Sequence, residues 1–293
     1  MNPTQTVDSQ QAMAATANSR DSGQWIAPAL VALAFASFLG SVTVFLSNDL
    51  AGLPKYFANR YLVLDPTSML FVLVINTVFL GISVYMLSRE RGSPELTKDI
   101  RTRALLTVLF MLAMNLGILS NHLIVMWVLI EVTTSCAALM MVCGEFGTSK
   151  QTAWRYMLYS SMSLALTFLG FMCLTQSASL RGIEISFRID ELGNALTVAK
   201  DGWQRLGLAL MLFGLGGKLG LAPLYSWLPE TYEAAPTSTS ALLAAVQFNI
   251  SIVLMFRILQ IFQGVDISFA GQELLVMGYI SLVVAAIVLA GLV

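Results

Sequence analysis

NHLIVMWVLIEVTTSCAALMM, residues 121–141, is an apolar run of membrane length with one carboxylate at its centre. A bilayer core about 30 Å thick takes about 20 helical residues, and Glu131 lies about nine from either end of this stretch. A charge at that depth costs at least about 2.5–3.5 kcal/mol, so the side chain is expected to face the interior of a helix bundle and to find a partner there. Two readings of Glu131 follow: an element of an ion pathway, or a protonated, hydrogen-bonded acid that only ties helices together.

The rest of the chain has the same character. Of its 293 residues 57% are hydrophobic and 11% charged, and mean hydropathy is +0.75, whereas about a quarter of a soluble domain is charged. Apolar stretches near 26–47, 63–87, 104–119, 122–142, 153–175, 206–222, 239–262 and 272–293 predict an all-α integral membrane protein, a polytopic bundle of about eight transmembrane helices over 25–293. Residues 1–24 are polar and small, with no basic start leading into an apolar run, and are expected to form a disordered tail rather than a signal peptide. The connection 176–204 is long enough for a short surface strand or helix.

Net charge −1 and a single histidine exclude a nucleic-acid partner, which requires concentrated basic surface. Cys136, Cys143 and Cys173 show no C-x-x-C spacing and His122 stands alone, so no haem, iron–sulfur or zinc cofactor is expected, and any electron chemistry falls to a partner. A self-contained membrane enzyme finds no catalytic constellation. Lysine and arginine stay cytoplasmic; with the N-terminus taken as one side, that side carries eight of them against six, which predicts a cytoplasmic N-terminus in a cell inner membrane.

Lys218 is the second charge in an apolar run, flanked by Gly214, Gly216, Gly217 and Gly220, where a neighbouring helix could come close or this one could break. Burial and a nearby carboxylate act on a lysine in opposite senses, so a buried Lys–Glu pair can trade a proton when its spacing changes; the alternative is a lysine that snorkels to the interface. Downstream, Pro223, Pro229 and Pro236 forbid a continuous helix. That stretch is either irregular backbone lining a cavity at membrane depth or an extramembrane loop with Glu230 and Glu233 in water. Thr237, Ser238, Thr239 and Ser240 read as the N-cap region of the seventh helix. Inside that helix Gln247 and Asn249 are neutral polar groups able to hold water or to bond neighbouring helices. Those two and His122 are the candidates for a polar relay.

The run GGKLGLAPLYSWLPETYEAAPTSTSALLAA, residues 216–245, closely resembles the signature of the antiporter-like subunits of complex I, Mrp cation/proton antiporters, membrane-bound hydrogenases and inorganic-carbon-uptake complexes. NHLIVMWVLIEVTT resembles that family's second hallmark, a helix with a central glutamate. The resemblance implies a proton half-channel in which Glu131 pairs with Lys218, with Glu230 and Glu233 on acidic positions of the broken-helix motif. It also implies half of an inverted-repeat antiporter-like fold, with its core over about 104–262. The departures are three, the first being that, counting back from Glu131, one initial family helix is absent. Where the family's next helix carries a lysine or histidine, ALLAAVQFNIS offers only Gln247 and Asn249, and the second half-channel falls outside this sequence.

The resemblance thus implies other membrane and peripheral subunits of a hetero-oligomeric complex as partners, one of them supplying the missing half-channel or the coupled chemistry. Three functions fit: proton conduction coupled to redox chemistry or antiport, proton-driven bicarbonate or CO2 uptake with a soluble zinc partner, or a degenerate structural anchor without conduction.

Overall fold

The computed structural model describes residues 25–47, 52–90, 100–143, 149–197 and 201–291. The polar stretch 1–24, most of the charged 88–103 connection and Val293 lie outside them. Apolar segments close into helices because lipid offers nothing to a free backbone donor or acceptor. In chain order these are α1 (Ile26–Ser47), α2 (Pro66–Glu90), α3 (Ile100–Leu119), α4 (Leu123–Val142) and α5 (Ser149–Ser179). Then come a short amphipathic helix α6 (Ile189–Thr197), α7 (Gly202–Lys218) and α8 (Trp227–Ala234). The seventh span is composite: α9 (Thr237–Leu242), a π-helical turn (Leu243–Gln247) and α10 (Phe248–Phe262), after which α11 (Ile267–Leu289) closes the described chain. Among the described residues seven stretches are long and apolar enough to cross a membrane; α7, with 17 residues, reaches about 26 Å and accounts for the eighth.

The spans alternate in direction, which places the 219–236 break and the start of α5 at the membrane face from which α1 departs, here the near face. At the far face the chain between α1 and α2 holds a hairpin, β1 (Lys55–Phe57) antiparallel to β2 (Leu62–Leu64). The second span therefore starts at Pro66 rather than near 63. Asp65 accepts from the Ser68 amide at 2.8 Å, the N-cap bond that a proline in the first helical position leaves room for. The Asn121 side chain donates to the Arg60 carbonyl at 2.9 Å and to Asp190 at 2.8 Å, tying this hairpin to α6 above the α3–α4 turn.

α5 and α7 form the most extensive helix pair in the molecule, and glycines set how close they come. A Cβ on Gly170 would sit 2.6 Å from the Gly207 carbonyl, and one on Gly207 2.9 Å from the Gly170 carbonyl, so the two backbones touch in the manner of small-residue crossings in lipid. Replacing Gly207 by alanine is expected to force the helices apart at a cost of about 1–3 kcal/mol. Thermal unfolding in detergent measures it, with Gly271→Ala, whose Cβ meets nothing within 4 Å, as the reference; equal midpoints would refute the close crossing. At the opposite extreme only 6% of the α11 span is buried, against 61% of the Thr237–Phe262 span, which leaves the outer face of α11 open to lipid or another chain.

Candidate functional site

α7 ends at Lys218 for a local reason. Gly220 takes φ +74, and the Gly220 and Leu221 amides donate back to the carbonyls of Gly217 at 3.2 Å and Gly216 at 2.8 Å, the paired C-terminal bonds that a left-handed glycine makes possible. The glycines thus serve both purposes read from the sequence, close approach at 214 and 217 and a break at 220. Trp227 at the start of α8 donates its indole N–H to the Gly217 carbonyl at 3.0 Å, which pins the broken segment to the last turn of α7. Lys218 is 2% exposed, so it does not snorkel.

Its ammonium donates to Thr134 Oγ1 on α4 and to Ser160 Oγ on α5. Glu131, one turn before Thr134 on α4, accepts from Ser161 Oγ, the residue after Ser160. Acid and amine are therefore bonded to adjacent residues of α5, and Glu131 and the Thr134 that receives the amine lie one turn apart on α4. No direct ion pair links them among the described residues. Instead Glu131 Oε2 is buried without a hydrogen-bond partner. The cluster is completed by Tyr156, whose ring lies 5.5 Å from Lys218 Nζ, and by Gln247, which accepts from the Tyr156 hydroxyl at 2.9 Å.

The remaining sequence-derived candidates are dispersed. Glu230 lies in the first turn of α8, half exposed, and pairs with Arg155 at 2.7 Å on the near face. Glu233 is exposed one turn further on. Asn249 bonds the Ala245 carbonyl of its own helix at 2.8 Å. His122 caps the far-face end of α4, about 13 Å along the helix from Glu131, stacked on Tyr61 with ring centroids 6.0 Å apart. Burial first, then the charge of Arg188, holds this imidazole below its ordinary pKa of 6.5 and keeps it neutral at pH 7. The hydroxyls at 237–240 are not N-cap residues as the sequence suggested: Pro236 occupies that position, and Ser240 reaches back to the Tyr232 and Ala235 carbonyls, both at 3.3 Å. Sequence reasoning passed over Thr134, Tyr156, Ser160 and Ser161. The signal available was the polar cluster YSSMS, residues 159–163, inside the otherwise apolar fifth span.

Residues 120–291 match the family model described as NADH:quinone oxidoreductase/Mrp antiporter, TM. The chain belongs to this antiporter-like membrane family. It is similar to the hydrogenase-4 component F homolog of Methylacidiphilum infernorum, 26% identical over 263 residues, covering 86% of this chain and 53% of that relative. It is also similar to NADH-quinone oxidoreductase subunit N 2 of Sorangium cellulosum, 29% identical over 227 residues, covering 73% and 42%. Among solved structures, a chain of the membrane-bound sulfane sulfur reductase, an archaeal respiratory membrane complex, shares the fold with TM-score 0.72 at 19% identity over 88% of this chain and 54% of that one. The antiporter-like subunit described here thus spans about half the length of the relatives it matches, and its match includes both α4 with Glu131 and α7 with Lys218.

Proposed function

We propose that this antiporter-like subunit conducts protons within a hetero-oligomeric complex, in a cell inner membrane with its near face cytoplasmic, and that Glu131 and Lys218 carry the step coupled to redox chemistry or transport in a partner. The observation that supports this most strongly is the burial of Lys218 with its ammonium on two neutral hydroxyls. A buried ammonium without a bonded counter-ion is expensive, and Glu131, with one carboxylate oxygen buried and unpartnered, is the acid that the cluster offers it. Changing the separation of the two side chains changes the proton affinity of both, which is how a coupled process elsewhere can load and unload the site. One observation favours the anchor reading instead: beyond Gln247 the seventh span turns Ile250, Val253, Leu254 and Ile258 inward, all fully buried and apolar.

The experiment that decides between them is proton flux into liposomes holding the purified complex under an imposed membrane potential, read with an internal pH dye. Glu131→Gln keeps the shape and an acceptor for Ser161 but loses the titratable group, and is expected to lower flux at least tenfold per assembled complex. Undiminished flux in this variant would remove Glu131 from the pathway, and a wild-type complex with no flux above empty liposomes would leave the anchor. The purification also names the coupled process, since a co-purifying flavin or iron–sulfur protein indicates redox chemistry and a soluble zinc protein indicates carbon uptake.

A further inference from the structure

Tyr156 is fully buried, and its contacts reach both the site and the π-helical turn of the seventh span. Its ring packs on Trp227 with centroids 5.4 Å apart and lies 5.5 Å from the Lys218 nitrogen, while its hydroxyl donates to Gln247 Oε1. The Gln247 amide then donates from Nε2 to Thr134 Oγ1 at 3.5 Å, the oxygen that also accepts from Lys218. Thr134 gives its own proton to the Ile130 carbonyl at 3.0 Å. A hydroxyl oxygen has two lone pairs, so the amine and the amide share it, and the amide holds the longer bond. Gln247 is the last residue of the π-helical turn Leu243–Gln247, and such turns, rare and confined to one winding, recur where a helix has a functional duty.

Resting on the proton-conducting reading above, we propose that Tyr156 and Gln247 are positioning residues: together they hold the π-turn of the seventh span against Thr134, so that departure of the Lys218 ammonium from Thr134 is passed to that turn. When Lys218 leaves, the oxygen is freed for Gln247, its stretched bond shortens, and the turn tightens. The titratable neighbours that govern Lys218 in this device are Glu131 on α4 and Tyr156 on α5; the seventh span contributes only the neutral Gln247 at this level. The π-turn therefore senses the amine without carrying a charge of its own.

Two readouts on the purified complex test it. In the liposome assay Tyr156→Phe, which keeps the ring and deletes the hydroxyl, and Gln247→Met are each expected to lower flux about tenfold, the scale set by leaving one buried polar partner unsatisfied, while the double variant falls no further because the two act as a unit. In hydrogen exchange, Lys218→Met is expected to slow exchange of the peptide covering 243–250, and this response is expected to vanish when Thr134→Val or Tyr156→Phe is added. A purely structural tyrosine would give losses that multiply to about a hundredfold and an exchange response to Lys218→Met that survives them; either result overturns the proposal, as does full flux in Tyr156→Phe. Glu131→Gln in the same assay separates the cases: a dead Glu131 variant beside a normal Tyr156 variant sinks this inference alone, and a normal Glu131 variant sinks the reading beneath it.

Discussion

Lys218→Met is expected to stop proton flux, lowering it more than a hundredfold, while the complex still assembles and melts at an unchanged or slightly higher temperature. The separation of the two effects is the point of the experiment. Methionine fills nearly the same volume and removes a buried charge, and replacing buried ionic groups by apolar ones of similar size is often neutral or stabilising. The hydroxyls it strands have other uses: Thr134 still donates to the Ile130 carbonyl, and Ser160 is free to turn. Lys218→Arg sharpens the result, because arginine keeps the positive charge but does not release a proton in a protein. Flux lost in both variants means that proton release is required; flux retained in the arginine variant would reduce Lys218 to a fixed field and refute a proton-loading role.

The second large effect is expected far from that cluster. Arg257, near the far-face end of α10, grips Asp65 with both nitrogens at 2.6 and 3.0 Å and donates to Ser68 at 2.9 Å; Ser68 donates in turn to the Ile118 carbonyl at 3.1 Å. One guanidinium thus joins the seventh span to the start of α2 and the end of α3. The Arg257 side chain is 5% exposed and that of Asp65 14%, so removing the cation leaves a carboxylate poorly hydrated and unpaired. Arg257→Met is expected to cost about 3–5 kcal/mol, read as a lower unfolding midpoint in detergent, and Arg257→Met combined with Asp65→Asn to recover most of it, since the stranded charge and not the lost contact carries the penalty. A double variant as unstable as the single one would show that the clamp acts through packing instead.

What the sequence disclosed and what it withheld divide along physical lines. Glu131 and Lys218 were legible because an ionisable side chain within a lipid-length apolar run contradicts its surroundings. The break after Lys218 was legible because three prolines and Gly220 cannot be wound into one helix. Their neighbours carried no such contradiction: a tyrosine, a threonine and two serines are ordinary helix residues, and only the rotation of α5 against α4 and α7 turns Thr134, Tyr156, Ser160 and Ser161 to one point. The π-turn has no compositional mark, since LAAVQ is a plain helical sequence. Asp65 and Arg257 are separated by 192 positions, and nothing local pairs them. Glu230 and Glu233 follow from the motif alone, and the structure sets them at the near-face surface, Glu230 beside Arg155, apart from the buried cluster.

The contact of backbones at Gly170 and Gly207 determines what kind of machine this bundle can be. Two helices in backbone contact resist separating at that crossing, so a working cycle built here would draw on rotamer hops of a lysine and a small adjustment in one winding of the seventh span. Side-chain hops at exposed sites take picoseconds to nanoseconds and collective helix motions microseconds to milliseconds; a buried lysine that must first break two hydrogen bonds is slower than an exposed one. The tempo of turnover would then follow the release of the lysine from Thr134 and Ser160.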